Sequence, residues 1–80
     1  MARIFLGLEQ RRFTGGVAEV EIQASTVKQL IAKLEARFPG IGEQLEGTAV
    51  AIDGSIVAHA TYEPVPEDAE IHFVPTPSGG

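Results

Sequence analysis

The chain has 80 residues, no cysteine and a formal net charge of −5. That length predicts one domain with a modest core and little room for a deep internal active site. Without cysteine there can be no disulfide, thiolate metal site, iron–sulfur cluster or cysteine nucleophile, and the negative charge repels a phosphate backbone, so nucleic acid is not an expected partner. An apolar share of 44% with 21% charged residues is that of a folded soluble domain rather than a disordered chain. The apolar run Met1–Leu8 is too short for a secretory signal and is soon followed by Glu9 and Arg11. No segment approaches the roughly 20 apolar residues of a membrane span. The expected location is the cytoplasm, with no membrane partner.

Ala2 to Leu8 predicts a strand, with Ile4, Leu6 and Leu8 on one face and Arg3, Phe5 and Gly7 on the other. Glu9 to Gly16 reads as a loop, with Phe13 expected to pin it to the core. From Val17 to Gln23, Ala18, Val20 and Ile22 alternate with Glu19, Glu21 and Gln23, so one face should be buried and the other wet. These two strands should form an antiparallel hairpin. A helix should begin at Thr26, where Gln29 three residues later completes a capping box. Val27, Leu30, Ile31, Leu34 and Phe38 follow at helical spacing, and Pro39-Gly40 ends the run. Ile41 to Glu46 can add a short helical turn.

Thr48 to Ile52 predicts a third strand, Asp53-Gly54 a two-residue hairpin turn, and Ser55 to Ala58 the return strand. Residues 59–68 are irregular and carry Pro64 and Pro66. Glu70 to Val74 predicts the last strand, with Ile71 and Phe73 on one face and Glu70, His72 and Val74 on the other. The order is α+β: a mixed sheet of four to five strands with one main helix over one face, the last strand returning beside the first. This is the β-grasp, or ubiquitin-like, arrangement. The domain should span 1–74, with 75–80 a flexible C-terminal tail.

The tail Pro75-Thr76-Pro77-Ser78-Gly79-Gly80 is the most informative stretch. Its prolines favour an extended chain, and its last two residues have no side chains. Such a terminus suits a narrow enzyme channel, with Pro77, Ser78 and Gly79 as the threading residues and the carboxylate of Gly80 as the reacting group. A carboxylate has a poor leaving group. Adenylation by ATP supplies a good one, and sulfide can then displace AMP to leave a thiocarboxylate. If first and last strands are neighbours, Phe5, His72 and Val74 share the face away from the helix, where an apolar patch marks a partner-binding surface.

Other chemistry-bearing groups read as bland. His59 and His72, without cysteine or a paired motif, do not make a metal site, and no metal is expected. Glu19/Glu21 lie on the wet face of a strand and Glu67/Asp68 in a turn, so neither pair reads as a catalytic dyad. Gly15-Gly16 lacks the Gly-Lys-Ser/Thr of a phosphate loop.

The opening Arg3-Ile4-Phe5-Leu6, the helix start Thr26-Val27, Val50-Ala51-Ile52-Asp53-Gly54 and above all the closing segment from Glu70 to Gly80 resemble the MoaD/ThiS family of prokaryotic sulfur carriers. The resemblance covers the whole chain and extends more distantly to ubiquitin. It implies a β-grasp fold and a carrier that is not itself an enzyme, with Gly80 adenylated and converted to a thiocarboxylate. It implies no bound cofactor, since ATP belongs to the activating enzyme. The implied partners are an E1-like adenylating enzyme and a sulfur acceptor, the molybdopterin synthase large subunit or its equivalent. The length favours a molybdopterin-type small subunit over the shorter thiamine carriers. A thiamine- or cysteine-pathway carrier, or a ubiquitin-like modifier joined to lysines through Gly80, is the alternative. Two positions depart from the family: Asp68-Ala69-Glu70 replaces the usual Gly-Asp-Glu before the last strand, and Pro77 stands where relatives carry a small aliphatic residue.

Overall fold

The first strand, β1 (Ala2–Phe5), buries Ala2 and Ile4 and turns Arg3 outward. In the computed structural model, which describes residues 1–45, 48–58 and 60–75, it stops three residues short of the expected Leu8. The cause is local. The Gln10 side chain accepts the Gly7 N–H at 2.8 Å, and the chain coils into a single turn, α1 (Leu8–Arg11). Gln10 is buried, while Leu8, expected to face inward with Ile4 and Leu6, is 78% exposed. Phe13 does not enter the core. Its ring lies against Gly40, so close that a Cβ there would sit 3.1 Å from the ring edge.

The second strand, β2 (Glu19–Ile22), carries the expected alternation: Val20 and Ile22 are buried, Glu19 and Glu21 exposed. Ala18, expected inside, lies before the strand and is exposed; its carbonyl accepts the Leu6 N–H at 2.8 Å. The helix α2 (Val27–Arg37) starts as predicted at Thr26, whose Oγ1 accepts the Gln29 N–H at 3.2 Å. The Gln29 side chain reaches one residue further back than a standard capping box, accepting the Ser25 N–H at 2.7 Å. Val27, Leu30 and Leu34 are buried, whereas Ile31 is only half-buried at the edge of the core. A short helix, α3 (Ile41–Leu45), follows directly and buries both its ends.

The strands β3 (Thr48–Ile52) and β4 (Ser55–Val57) form the predicted hairpin. Asp53 and Gly54 both take positive φ, 49° and 88°, which is the conformation that keeps a two-residue hairpin in step with strand twist. Asp53 also clips the turn to the next strand, accepting the Glu70 N–H at 2.9 Å. The last strand, β5 (Glu70–Pro75), runs one residue beyond Val74. The turn before it is made without glycine because Asp68 itself adopts φ 60°, a conformation that Asp tolerates better than most residues.

The five strands lie in the order β2-β1-β5-β3-β4, with β1 and β5 parallel and every other pair antiparallel. The expected adjacency of first and last strands therefore holds, and the fold is the β-grasp. Ile4, Val20, Ile22, Val50, Ile52, Ile71 and Phe73 on the sheet meet Val27, Leu30 and Leu34 of α2 in one cluster. The other face of the sheet has no helix over it among the described residues.

Candidate functional site

On that open face, strand register places five residues in one row across the sheet. Glu19 of β2 pairs with Phe5 of β1, Phe5 with His72 of β5, His72 with Ala51 of β3, and Ala51 with Ile56 of β4. Val74 pairs with Ala49 one step along, so the three residues assigned to the patch from sequence do share a face. The Phe5 and His72 rings stack, with centroids 4.7 Å apart and planes 11° from parallel. The Arg3 guanidinium lies 6.0 Å from the Phe5 ring centre, a cation–π distance, and 3.6 Å from the Glu70 carboxylate. Phe5 and Val74 are half-buried and His72 is exposed.

Ile56 extends the patch and was not anticipated; it is 67% exposed at the far edge. Its position was readable in principle, because a two-residue turn at Asp53-Gly54 fixes Ala51 opposite Ile56. Ala49 and Ala51 are buried on this side of β3, small enough to leave the centre of the face flat. Glu19, Glu21 and Glu70 rim the patch with negative charge, offset by Arg3 alone among the residues named here.

The same strand that carries His72 and Val74 delivers the chain to its terminus. Pro75 pairs with Thr48 at the end of β5. Thr76, Pro77, Ser78, Gly79 and Gly80 lie outside the described residues, as does His59, so the threading and carboxylate assignments rest on sequence. Five residues reach at most roughly 17 Å beyond Pro75. A partner seated on the Phe5–His72–Val74 face is thus within one tail length of Gly80.

Nothing in the described interior competes as a reaction centre. No buried side-chain nitrogen or oxygen there lacks a hydrogen bond, and no three metal-capable side chains converge. Among the described residues no helix is long and apolar enough to cross a membrane.

A family profile described as ThiS family matches residues 6–80. The chain belongs to the ThiS family. It is a ubiquitin-like sulfur carrier or modifier, a small protein substrate rather than an enzyme. No curated protein is significantly similar to this ThiS-family chain in sequence. Several solved structures share its fold. The CysO chain of the Amycolatopsis orientalis BexX/CysO complex has a TM-score of 0.86 at 22% identity, over 100% of both chains. CysO of Mycobacterium tuberculosis, described as an antigen, scores 0.85 at 17% identity, over 96% of this chain and 100% of that one. The small archaeal modifier protein 1 of Methanosarcina acetivorans scores 0.80 at 17% identity, over 99% and 95%.

Proposed function

We propose that this ThiS-family chain carries sulfur as a thiocarboxylate on Gly80. The observation that carries the reading is the Gly79-Gly80 terminus of a chain matched by the ThiS family to its last residue, issuing from the strand that also bears the docking patch. An E1-like enzyme binds the Phe5–His72–Val74 face and receives the tail. The Gly80 carboxylate attacks the α-phosphorus of ATP, pyrophosphate leaves, and an acyl-adenylate forms. A sulfide-level donor then attacks the carbonyl carbon, the C–O bond to AMP breaks, and the thiocarboxylate remains. Gly79 gives room for this approach; a Cβ there meets the channel wall and moves the carboxylate.

The recipient proposed from chain length is the large subunit of a molybdopterin synthase, with a thiamine- or cysteine-pathway enzyme as the other sulfur acceptor. The likeness to a protein named as a modifier supports a second reading, in which a lysine amine rather than sulfide takes the acyl group.

The test is intact-mass spectrometry after incubation with the cognate activating enzyme, ATP and a sulfur source. The expected product gains the mass of one sulfur in place of one oxygen. Gly79→Val should cut loading on the order of a hundredfold, as a misplacement of about 1 Å can, while leaving the fold intact. A mass that never changes with any adenylating enzyme of the same organism overturns the carrier reading.

A further inference from the structure

The open face of the sheet is graded in charge. Where β5 begins, Glu21 of β2 pairs with Arg3 of β1, and Arg3 with Glu70 of β5. The Asp53 carboxylate continues that row, accepting the Glu70 N–H at 2.9 Å. In the next row, Glu19–Phe5–His72–Ala51–Ile56, the carboxylate stands at the β2 end and the exposed Ile56 at the β4 end. The third row, Val74 with Ala49, carries no charge. Glu21 and Val74 are thus two strands and four residues apart in register, about 16 Å. The chain continues toward Gly80 from the Val74 end of β5.

The charge on this face is unbalanced. Arg3 lies 3.6 Å from Glu70, and among the described residues neither Glu19 nor Glu21 makes an ion pair. Salt screens exposed charges beyond about 8–10 Å, so the negative field stays at the Glu19–Glu21 corner and does not spread to Val74 and Ile56. An apolar centre with a polar rim is how protein interfaces are built. A second copy seated here brings the same carboxylates to the contact and is repelled, as is a phosphate-bearing surface. A cationic protein surface is attracted.

We infer that the partner seated on this face presents arginine or lysine side chains to Glu19 and Glu21, and an apolar surface to Phe5, Val74 and Ile56. The inference rests on the docking reading given above and adds the partner's chemistry and orientation. Its cations stand about 16 Å from the point where the chain leaves the sheet for Gly80, and its apolar contact lies nearest that point. The cations speed the encounter and select the orientation, while the aromatic and aliphatic contacts hold the complex. Docked the other way round, the partner would cover Glu19 and Glu21 without pairing them, which weakens binding.

The test compares two double variants that change the net charge equally. Glu19→Lys with Glu21→Lys reverses the corner of the open face. Glu43→Lys with Glu63→Lys reverses two exposed carboxylates on the helix side, one on α3 and one in the loop whose Glu63 carbonyl accepts the Val27 N–H. Association rates with the cognate activating enzyme are read by stopped flow across a salt series. At low salt the open-face variant should associate about tenfold more slowly than the native chain and lose most of its salt dependence, and the helix-side variant should stay within about twofold. Glu19→Gln with Glu21→Gln, which removes the charge and adds none, should slow association about threefold and guards against misfolding of the lysine variant. Equal slowing by the two lysine variants assigns the effect to net charge and overturns the inference, as does an open-face variant that is not slowed. Sedimentation of the native chain alone should show a monomer; a dimer that dissociates in Phe5→Glu places a second copy on the face and overturns it too. A native chain that docks with the expected charge dependence but never gains sulfur upholds this inference and removes the carrier reading.

Discussion

The two faces of the sheet are written by alternate residues of the same strands, yet they do opposite work. In β5, Ile71 and Phe73 sink into the cluster under α2, while His72 and Val74 remain on the open side. In β1, Ile4 is fully buried while its neighbour Phe5 stacks on His72 at the surface. The covered face holds branched aliphatic side chains and Phe73, all buried. The open face holds an aromatic pair, two alanines and a rim of carboxylates. A domain this small has one core to spare, so the core and the proposed docking patch are separated by the two-residue period of the strand rather than by distance.

Breaking the covered face should produce the largest effect. Leu34→Ala removes a side chain with no solvent exposure from the middle of the cluster, and should cost about 2–5 kcal/mol, measured as a fall in the urea midpoint. The folded fraction should still bind the activating enzyme normally. A loss of affinity per folded molecule would show that the two faces are not independent.

The reciprocal change is smaller and should appear in binding alone. Phe5→Glu puts a charge within the row across the open face, between Glu19 and the His72 ring. Association with the activating enzyme should weaken by about 1–2 kcal/mol, roughly tenfold in Kd, by titration calorimetry. The urea midpoint should move far less than in Leu34→Ala. An unchanged Kd removes the patch from the docking surface.

The covered face was legible because its signals are local and periodic. Glu19 to Ile22 alternates as a half-buried strand must, Thr26 caps the helix it was expected to cap, and Asp53-Gly54 turns as such a pair turns. The open face was legible in part: Phe5, His72 and Val74 follow once β1 and β5 are neighbours, but Ile56 needed the register across β3 as well. The misreadings have a common source. Leu8 continued the period-2 pattern of Ile4 and Leu6, and Ala18 that of Val20 and Ile22. In each case the strand had already ended or not yet begun. At Gly7 a side chain three residues ahead, Gln10, took the N–H that a longer strand would have used. Alternation reports which face a residue would occupy, not whether the ladder reaches it.

The smallest effect concerns how the helix that covers the core is tied down. Glu35, on the exposed side of α2, accepts the Gly40 and Gly42 N–H groups at 2.8 Å each. One carboxylate thereby satisfies two backbone donors in the turn from α2 to α3, where Gly40 takes φ 98°. No sequence pattern announces this, because it depends on the path the chain takes after the helix. The Gly40 bond first, then the Gly42 bond, holds the Glu35 carboxyl below its ordinary value. A group whose pKa is lower folded than unfolded adds stability above its unfolded value, and that addition is lost as pH falls through its folded value. Glu35→Gln keeps one acceptor oxygen but removes the charge. It should therefore be slightly less stable than the native chain at neutral pH, with the gap closing as the medium is acidified below the folded value. Urea midpoints for both proteins across a pH series read this directly. A gap that stays constant with pH would mean that the charge on Glu35 contributes nothing to the turn. The packing of α3 against α2 would then hold it unaided.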